Sequence, residues 1–387
     1  MVCSPSTETV LMKKQWKYYN EDAGEDLAST QIKHIVKKFQ ISEFLAKLLV
    51  NREITDDKKI PIFLNPTRQD FYNPFLILDM EKAASRIVQA INGKEKVAIY
   101  GDYDADGITS TIVLKKFLYE RGLDAEYYIP NRLEEGYGLN KEAIAEIAEQ
   151  GCTLIITVDC GISGIDEVEA ANELGLEIII TDHHEPLETL PNAFAVIDLK
   201  RKDSTVYPFR ELAGVGVVFK LIQAVSIQLG INEEEYLKYL DLVCTGTISD
   251  IVPLIDENRV IAKLGLKLMK MTKNIGLREL IRQTGYKEIN AASVSFGIAP
   301  RINACGRMGH EDEALNLFLT DDIEEAKEIT DRLNLYNIER QSKEKEIFDQ
   351  AIEKLEKEDI DNLNTIVLCG ENWHHGVIRN SGIKARR

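Results

Sequence analysis

Apolar residues along this chain change their spacing twice, and the changes divide it into stretches. Up to about residue 95 they recur mostly at helical intervals. Trp16 and Tyr18 open an amphipathic stretch, and the run from Ile41 to Val50 has one apolar face. Pro61, Pro66 and Pro74 mark a loop-rich passage before a helix expected over 78–91. From Val97 short β-forming runs take over, with strands expected at 97–100, 125–130, 154–159, 176–182 and 193–198. Helical stretches such as 141–150 and 164–174 separate them. This alternation predicts an α/β fold with a mostly parallel sheet and helices on both faces.

Beyond about Phe209 the spacing turns helical again. The run from Leu212 to Leu229 carries no charge except Lys220 and reads as a buried helix. A second helix from Glu233 leads into a segment where Gly246 and Pro253 are expected to bracket an irregular turn holding Asp250 among Ile and Val. The stretch 299–310 reads as a basic loop carrying Arg301 and Arg307, and 322–358 as one long Glu- and Lys-rich helix bridging two lobes. Residues 365–370 look like the first strand of another domain. The expected organisation is an N-terminal, mostly helical segment (1–95) packing on the next domain, an α/β domain with a helical extension (96–320), a connecting helix (321–360), and the start of an incomplete second α/β lobe (361–387).

Composition narrows the class. The chain has 387 residues, enough for two domains, with 44% hydrophobic residues and no apolar run long enough to span a bilayer. No basic-then-apolar leader opens it, so the cytoplasm is the expected compartment. Six dispersed cysteines without a C-x-x-C pair argue against a zinc knuckle or a disulfide framework. A balance of 47 Lys and Arg against 64 Asp and Glu, net −17, disfavours long-range attraction of nucleic acid but leaves room for a local basic cleft.

The chemistry gathers at the ends of the expected strands. Val97 to Tyr100 breaks at Gly101 into Asp102-Tyr103-Asp104-Ala105-Asp106-Gly107 and then a helix. In a parallel sheet this loop lies at the carboxyl edge, where ligands bind. Three clustered carboxylates would repel a phosphate unless a divalent cation lay between them, so the loop reads as half of a metal site. The bland alternative is one helix-capping aspartate and two solvated ones. Two further strands end in Asp159-Cys160-Gly161 and in Asp182-His183-His184, at the same edge. With Asp250 these groups form an oxygen-rich set with one or two imidazoles, suited to two Mn²⁺ or Mg²⁺ ions and to phosphodiester hydrolysis. Arg301 and Arg307 suit phosphate contacts, although loop arginines are more often surface ion-pair members.

At these residues the sequence resembles the DHH phosphoesterase superfamily, named for the triplet present here as Asp182-His183-His184. Further motifs narrow the resemblance to its bacterial single-strand-specific exonucleases. They are Asn131-Arg132 with Glu135-Gly136-Tyr137-Gly138, Leu212-Ala213-Gly214-Val215-Gly216, Gly246-Thr247-Ile248-Ser249-Asp250, and Arg301-Ile302-Asn303-Ala304 with Gly306-Arg307-Met308. The resemblance implies that Asp104, Asp106, Asp159, His183 and Asp250 ligate Mn²⁺ or Mg²⁺. It places His184 beside the scissile phosphate, with Asp182 orienting its neighbours, and assigns Arg132, Arg301 and Arg307 to DNA. The implied activity is 5′-to-3′ hydrolysis of single-stranded DNA in repair and recombination, with single-strand-binding protein and a helicase as partners and no membrane. Alternatives are a phosphodiesterase of short oligonucleotides or cyclic dinucleotides, and an inactive binding relative. After Trp373-His374-His375-Gly376 the sequence departs from the family pattern, and a truncated second lobe is expected.

Overall fold

The structure, a computed structural model, describes residues 25–132, 135–356 and 366–378. They fall into two compact units divided between Pro66 and Thr67. The first contains α1 (Glu25–Phe39), α2 (Glu43–Asn51) and α3 (Lys59–Leu64), closed around Ile35, Ala46, Leu49 and Ile60. Ser42 caps α2 by accepting from the Leu45 N–H.

The second unit begins with two short 3₁₀ turns and α4 (Met80–Gly93). Its α/β part then runs β1 (Val97–Tyr100), α5 (Ala105–Tyr119), β2 (Glu126–Tyr128), α6 (Lys141–Glu149), β3 (Leu154–Val158), α7 (Ile165–Glu173), β4 (Glu177–Asp182) and β5 (Ala195–Asp198). The five strands are all parallel, in the order β2-β1-β3-β4-β5. Each strand expected from the sequence forms within a residue or two of its expected start, because β1, β3 and β5 are buried on both faces and read as unbroken apolar runs.

Alternate side chains serve opposite faces of the sheet. Val97, Ile99, Leu154, Ile156, Ile179 and Ile197 enter the core shared with α4 and α5, while Ala98, Tyr100, Ile155, Ile178 and Ile180 pack with residues of α6 and α7. α8 (Gly214–Gln228) lies on the first of these faces. Its single charge, Lys220, is 1% exposed and paired with Glu257 at 3.0 Å.

A helical layer follows: α9 (Glu234–Leu237), α10 (Leu240–Ser249), α11 (Asp256–Met269), α12 (Ile275–Thr284), α13 (Ala291–Ser293), a π-turn at Val294–Ile298, α14 (Ala299–Met308), α15 (Glu311–Leu319) and α16 (Ile323–Leu355). Three local expectations are corrected here. Gly246 is not at a turn but inside α10, where a Cβ would meet Thr109 Oγ1 at 2.3 Å, so the glycine lets α10 close on α5. Residues 299–308 form a helix instead of a basic loop. Pro300 sits in its first turn, where the missing N–H costs nothing, and Gly309 ends it in the left-handed conformation. Residues 366–370 carry no strand pairing, and Thr365 lies outside the described residues. The long helix does form. Asp322 caps it, and it buries one face, including Ile329, Leu333 and Ile347, while packing along α12, α14 and α15. No helix among the described residues is long and apolar enough to cross a membrane.

Candidate metal centre

The strand order brings the carboxyl ends of β1, β3 and β4 side by side, and the chain turns sharply after each. After β1, Asp104 caps α5, its Oδ1 accepting from the N–H groups of Asp106 (2.8 Å) and Gly107 (3.2 Å). The capping alternative is thus realised for Asp104, and it fixes the loop without consuming the other two aspartates. Gly107 permits the turn, since a Cβ there would meet the Asp102 carbonyl oxygen at 2.4 Å. After β3, Asp159 adopts φ = 62°, a conformation costly for a residue with a Cβ and most often retained where function needs it.

Asp106 is 1% exposed. Both its oxygens are held by the N-terminus of α8, with Gly214 N–H donating to Oδ2 (2.7 Å) and Val215 N–H to Oδ1 (2.9 Å). A helix N-terminus favours a carboxylate there through its free N–H groups and its dipole. His183 Nε2 then lies 3.1 Å from Asp159 Oδ1, 3.7 Å from Asp250 Oδ2 and 3.8 Å from Asp106 Oδ2. The Asp159–His183 approach lacks hydrogen-bond alignment, and Asp159 Oδ1, His183 Nε2 and Asp102 Oδ1 are buried without any partner.

Burial and mutual repulsion set the charge states. Burial, followed by the charges of Asp250 and Asp104, holds the Asp106 carboxyl well above its ordinary range, and burial with Asp106 and Asp104 does the same to Asp159. Burial and Asp104 push Asp102 up to about 8, and Asp250 is raised to about 6 for the same two reasons. Burial, then the charge of His184, lowers His183 to about 4, so it stays neutral with a lone pair to offer. Carboxylates forced together against their own repulsion, beside a neutral imidazole, fit a divalent cation whose charge would reverse the penalty. Three triplets have ligand atoms all within 4.8 Å of one another: Asp159, His183 and His184; Asp106, His183 and Asp250; and Asp102, Asp104 and Asp159. His183 links the first triplet to the second and Asp159 links the first to the third, a layout with room for two cations.

Asp182 and His184 are differently built. The Asp182 carboxylate accepts from Ile162 N–H (2.9 Å), His183 N–H (2.7 Å), His184 N–H (3.1 Å) and His184 Nδ1 (2.7 Å). Burial opposes its ionisation, but these donors outweigh it and hold its pKa below the usual value. In return the Asp182 hydrogen bond raises His184 to about 9, giving an imidazolium at neutral pH. Nδ1 is thus engaged, and no described residue hydrogen-bonds Nε2. Tyr137 braces this ring: its hydroxyl lies 3.2 Å from His184 Nδ1 and donates to the Asp159 carbonyl.

Of the arginines, the Arg132 guanidinium lies 4.9 Å from the centre of the Tyr103 ring, and Arg307 Nη1 donates to the Gly376 carbonyl at 2.9 Å. Burial, then the charges of Arg132 and Arg340, lowers the Arg307 pKa, which marks these cations as neighbours. Neither Arg132 nor Arg307 forms an ion pair with a carboxylate among the described residues. Arg301 turns elsewhere, Nη1 donating to the Gly297 carbonyl one turn back. The sequence reading left out Asp102 and Tyr137. Asp102's place in the aspartate triplet, and Tyr137's between two glycines, were the available signals.

Residues 96–247 match the DHH family, N-terminal domain. A crystal structure titled exonuclease RecJ bound to manganese superposes with a TM-score of 0.73 at 36% identity, covering 80% of this chain and 77% of that one. The chain belongs to the DHH family, in its RecJ group. It is 43% identical over 368 residues to the single-stranded-DNA-specific exonuclease RecJ of Bacillus subtilis, covering 95% of this chain and 45% of that protein. The RecJ structure of Thermus thermophilus in complex with Mn²⁺ matches with a TM-score of 0.79 at 31% identity, over 92% of this chain and 50% of that one. The chain spans about half the length of the curated relatives it matches.

Proposed function

We propose that this chain carries the metal-dependent catalytic unit of a 5′-to-3′ exonuclease that hydrolyses phosphodiester bonds of single-stranded DNA. The observation that supports it most is the set of orphaned, buried ligand atoms on Asp159 and His183, in a chain whose Arg132 and Arg307 form no ion pair with a carboxylate among the described residues. Asp104, Asp106, Asp159, His183 and Asp250 are the proposed ligands of two Mn²⁺ or Mg²⁺ ions. Bound there, such ions would acidify a water and neutralise charge on the phosphoryl oxygens.

The protein's own groups do the rest. Asp182 fixes the His184 ring by the Nδ1 bond and keeps it charged, so that Nε2–H can donate to a phosphoryl oxygen or to the departing oxygen. Arg132 and Arg307 hold backbone phosphates next to the cluster, and their local charge offsets the acidity of the whole chain. Arg301, whose guanidinium is tied to Gly297, is proposed as a more distant contact to the strand. A cytoplasmic location suits this substrate, and single-strand-binding protein and a helicase are the proposed partners that would present it.

The test uses the purified chain, Mn²⁺ and a long single strand carrying a 5′ label. Early release of label in small products, abolished by EDTA and by Asp159→Ala, supports the reading. Release beginning at the 3′ end, or hydrolysis indifferent to the metal, refutes it.

A further inference from the structure

Two backbone irregularities flank the same cavity, and neither is explained by the metal centre. Ile251, directly after Asp250, has φ = 63° and is 85% exposed. A β-branched residue in the left-handed region is a true outlier, and strain of this kind persists where the side chain's position is useful. Across from it, the π-turn Val294–Ile298 precedes α14 and carries Phe296, 75% exposed. Such turns occur preferentially at functional sites. Ile251 and Phe296 both line a cavity of about 330 Å³, together with Ser249, Asn303, Arg307 and Arg340.

The walls of this cavity specify what fits it. The two exposed side chains offer water-shunning surface, flat on the Phe296 ring and branched at Ile251, whereas a core residue would have been turned inward. Asn303 spends its Oδ1 on the Ala105 N–H (2.7 Å), and its amide nitrogen has no hydrogen bond among the described residues. Arg307 brings positive charge with no ion-pair partner among the described residues. An apolar jaw, a free amide donor and a cation match a nucleotide whose base is out of its stack: base between the apolar groups, phosphate towards Arg307.

We propose that Ile251 and Phe296 clamp one unstacked nucleobase of the strand whose phosphodiester lies at the carboxylate–imidazole cluster. The proposal rests on the nuclease reading and deepens it. Asp250 is a candidate ligand and Ile251 is the next residue, so the clamped nucleotide is close in the chain to the cleaved bond. A base in a duplex is stacked and paired and cannot enter the jaw, which makes the clamp a device for preferring single strands.

The experiment measures binding of the full chain to a 5′-phosphorylated oligothymidylate, by fluorescence anisotropy in Ca²⁺, while a single abasic site is moved along the strand. Wild type is expected to lose about ten-fold in affinity when the abasic site reaches one particular position near the 5′ end, the size expected of one base stacked on an aromatic ring. Phe296→Ala should bind the intact strand about ten-fold more weakly and show no such position, whereas Phe296→Trp should retain it. Ile251→Gly relieves the backbone strain, so it should melt no lower than wild type yet bind the intact strand more weakly. Equal affinity of wild type for every abasic strand, or undiminished binding by both Phe296→Ala and Ile251→Gly, overturns the clamp and leaves the nuclease reading standing. Absence of any single-strand binding by wild type overturns both.

Discussion

Replacing Gly214 by alanine tests the centre through a single methyl group. Gly214 begins α8, and its N–H holds Asp106 Oδ2 at 2.7 Å. Alanine keeps that N–H, so the helix-terminal contact survives and only the new Cβ is at issue. The Cβ would stand 2.4 Å from Asp159 Oδ1 and 2.7 Å from its Cγ, against about 3.4 Å for ordinary contact. Relief needs a retreat of 3.4 − 2.4, about 1 Å, by Asp159 or by the first turn of α8. Asp159 is 2% exposed and its backbone is already at φ = 62°, so it has little free space to use. Overpacking of this kind costs about 1–3 kcal/mol, partly offset by alanine's better helix propensity, and leaves the chain folded. Metal ligation tolerates only about 0.2 Å of error. The expected result is a melting temperature lowered by no more than about 8 °C, at roughly 2–4 °C per kcal/mol for a domain of this size. Mn²⁺ affinity by isothermal calorimetry should fall at least about ten-fold, the lower range for disturbing a ligand's support. Wild-type Mn²⁺ affinity in a folded Gly214→Ala chain would refute the assignment of Asp159 Oδ1 as a ligand atom.

Other expectations follow from the same geometry. In the metal-free chain the His184 ring should titrate near 9 by NMR, and Asp182→Asn should bring it down towards its ordinary value of 6.5. Because that pKa is raised on folding, the stability it contributes is complete below about 6.5 and lost as pH rises through 9; Asp182→Asn should flatten denaturation midpoints over that window. Asp198 acts in the same direction at lower pH, being an acid that burial raises to about 7: the wild type should lose stability as pH rises from 4 to 7, and Asp198→Asn, which keeps the acceptor for the Lys200 N–H, should lose less on the same melting series. Lys220→Met strands Glu257 in the core and should cost about 3–5 kcal/mol by urea denaturation, with much of it recovered in Lys220→Met/Glu257→Gln. Arg307→Gln should reduce the slope of log affinity against log salt for single-stranded DNA by about one, and an unchanged slope would make it a purely structural cation.

Most of the sheet was legible in the sequence because β1, β3 and β5 are buried on both sides and β4 nearly so, and these appear as apolar runs; the edge strand β2, Glu126–Tyr128, is partly exposed. The cluster was legible for the same reason: Asp104, Asp159 and the Asp182 triplet each follow such a run. What escaped depended on contacts distant in sequence. The packing of α10 against α5 turned Gly246 from a turn signal into a close-approach residue. The arginines at 301 and 307, with flanking glycines and a proline, looked like a loop until Pro300 proved to be a helix opener and Gly309 its end. Asp102 was hidden by its neighbours, since three aspartates in alternation do not announce which will be left without a hydrogen bond. Ile251 carried no signal at all, because its strain belongs to the backbone.

The chain's order of synthesis also bears on the centre. Asp104, Asp106, Asp159 and His183 all come from the first three strand ends of the sheet's middle, whereas Asp250 caps the far end of α10. Asp250 follows His183 by 67 residues, about 3–13 s of translation at 5–20 residues per second. During that interval a nascent chain carries most of the cluster but not the helix that closes it, and Asp106 has only just received its clasp from α8. A cation captured then would sit in a site open on one side and exchange freely. On the proposed assignment, the last turn of α10 would act as the latch of the assembly line, and the cluster would be finished only when the helical layer has docked.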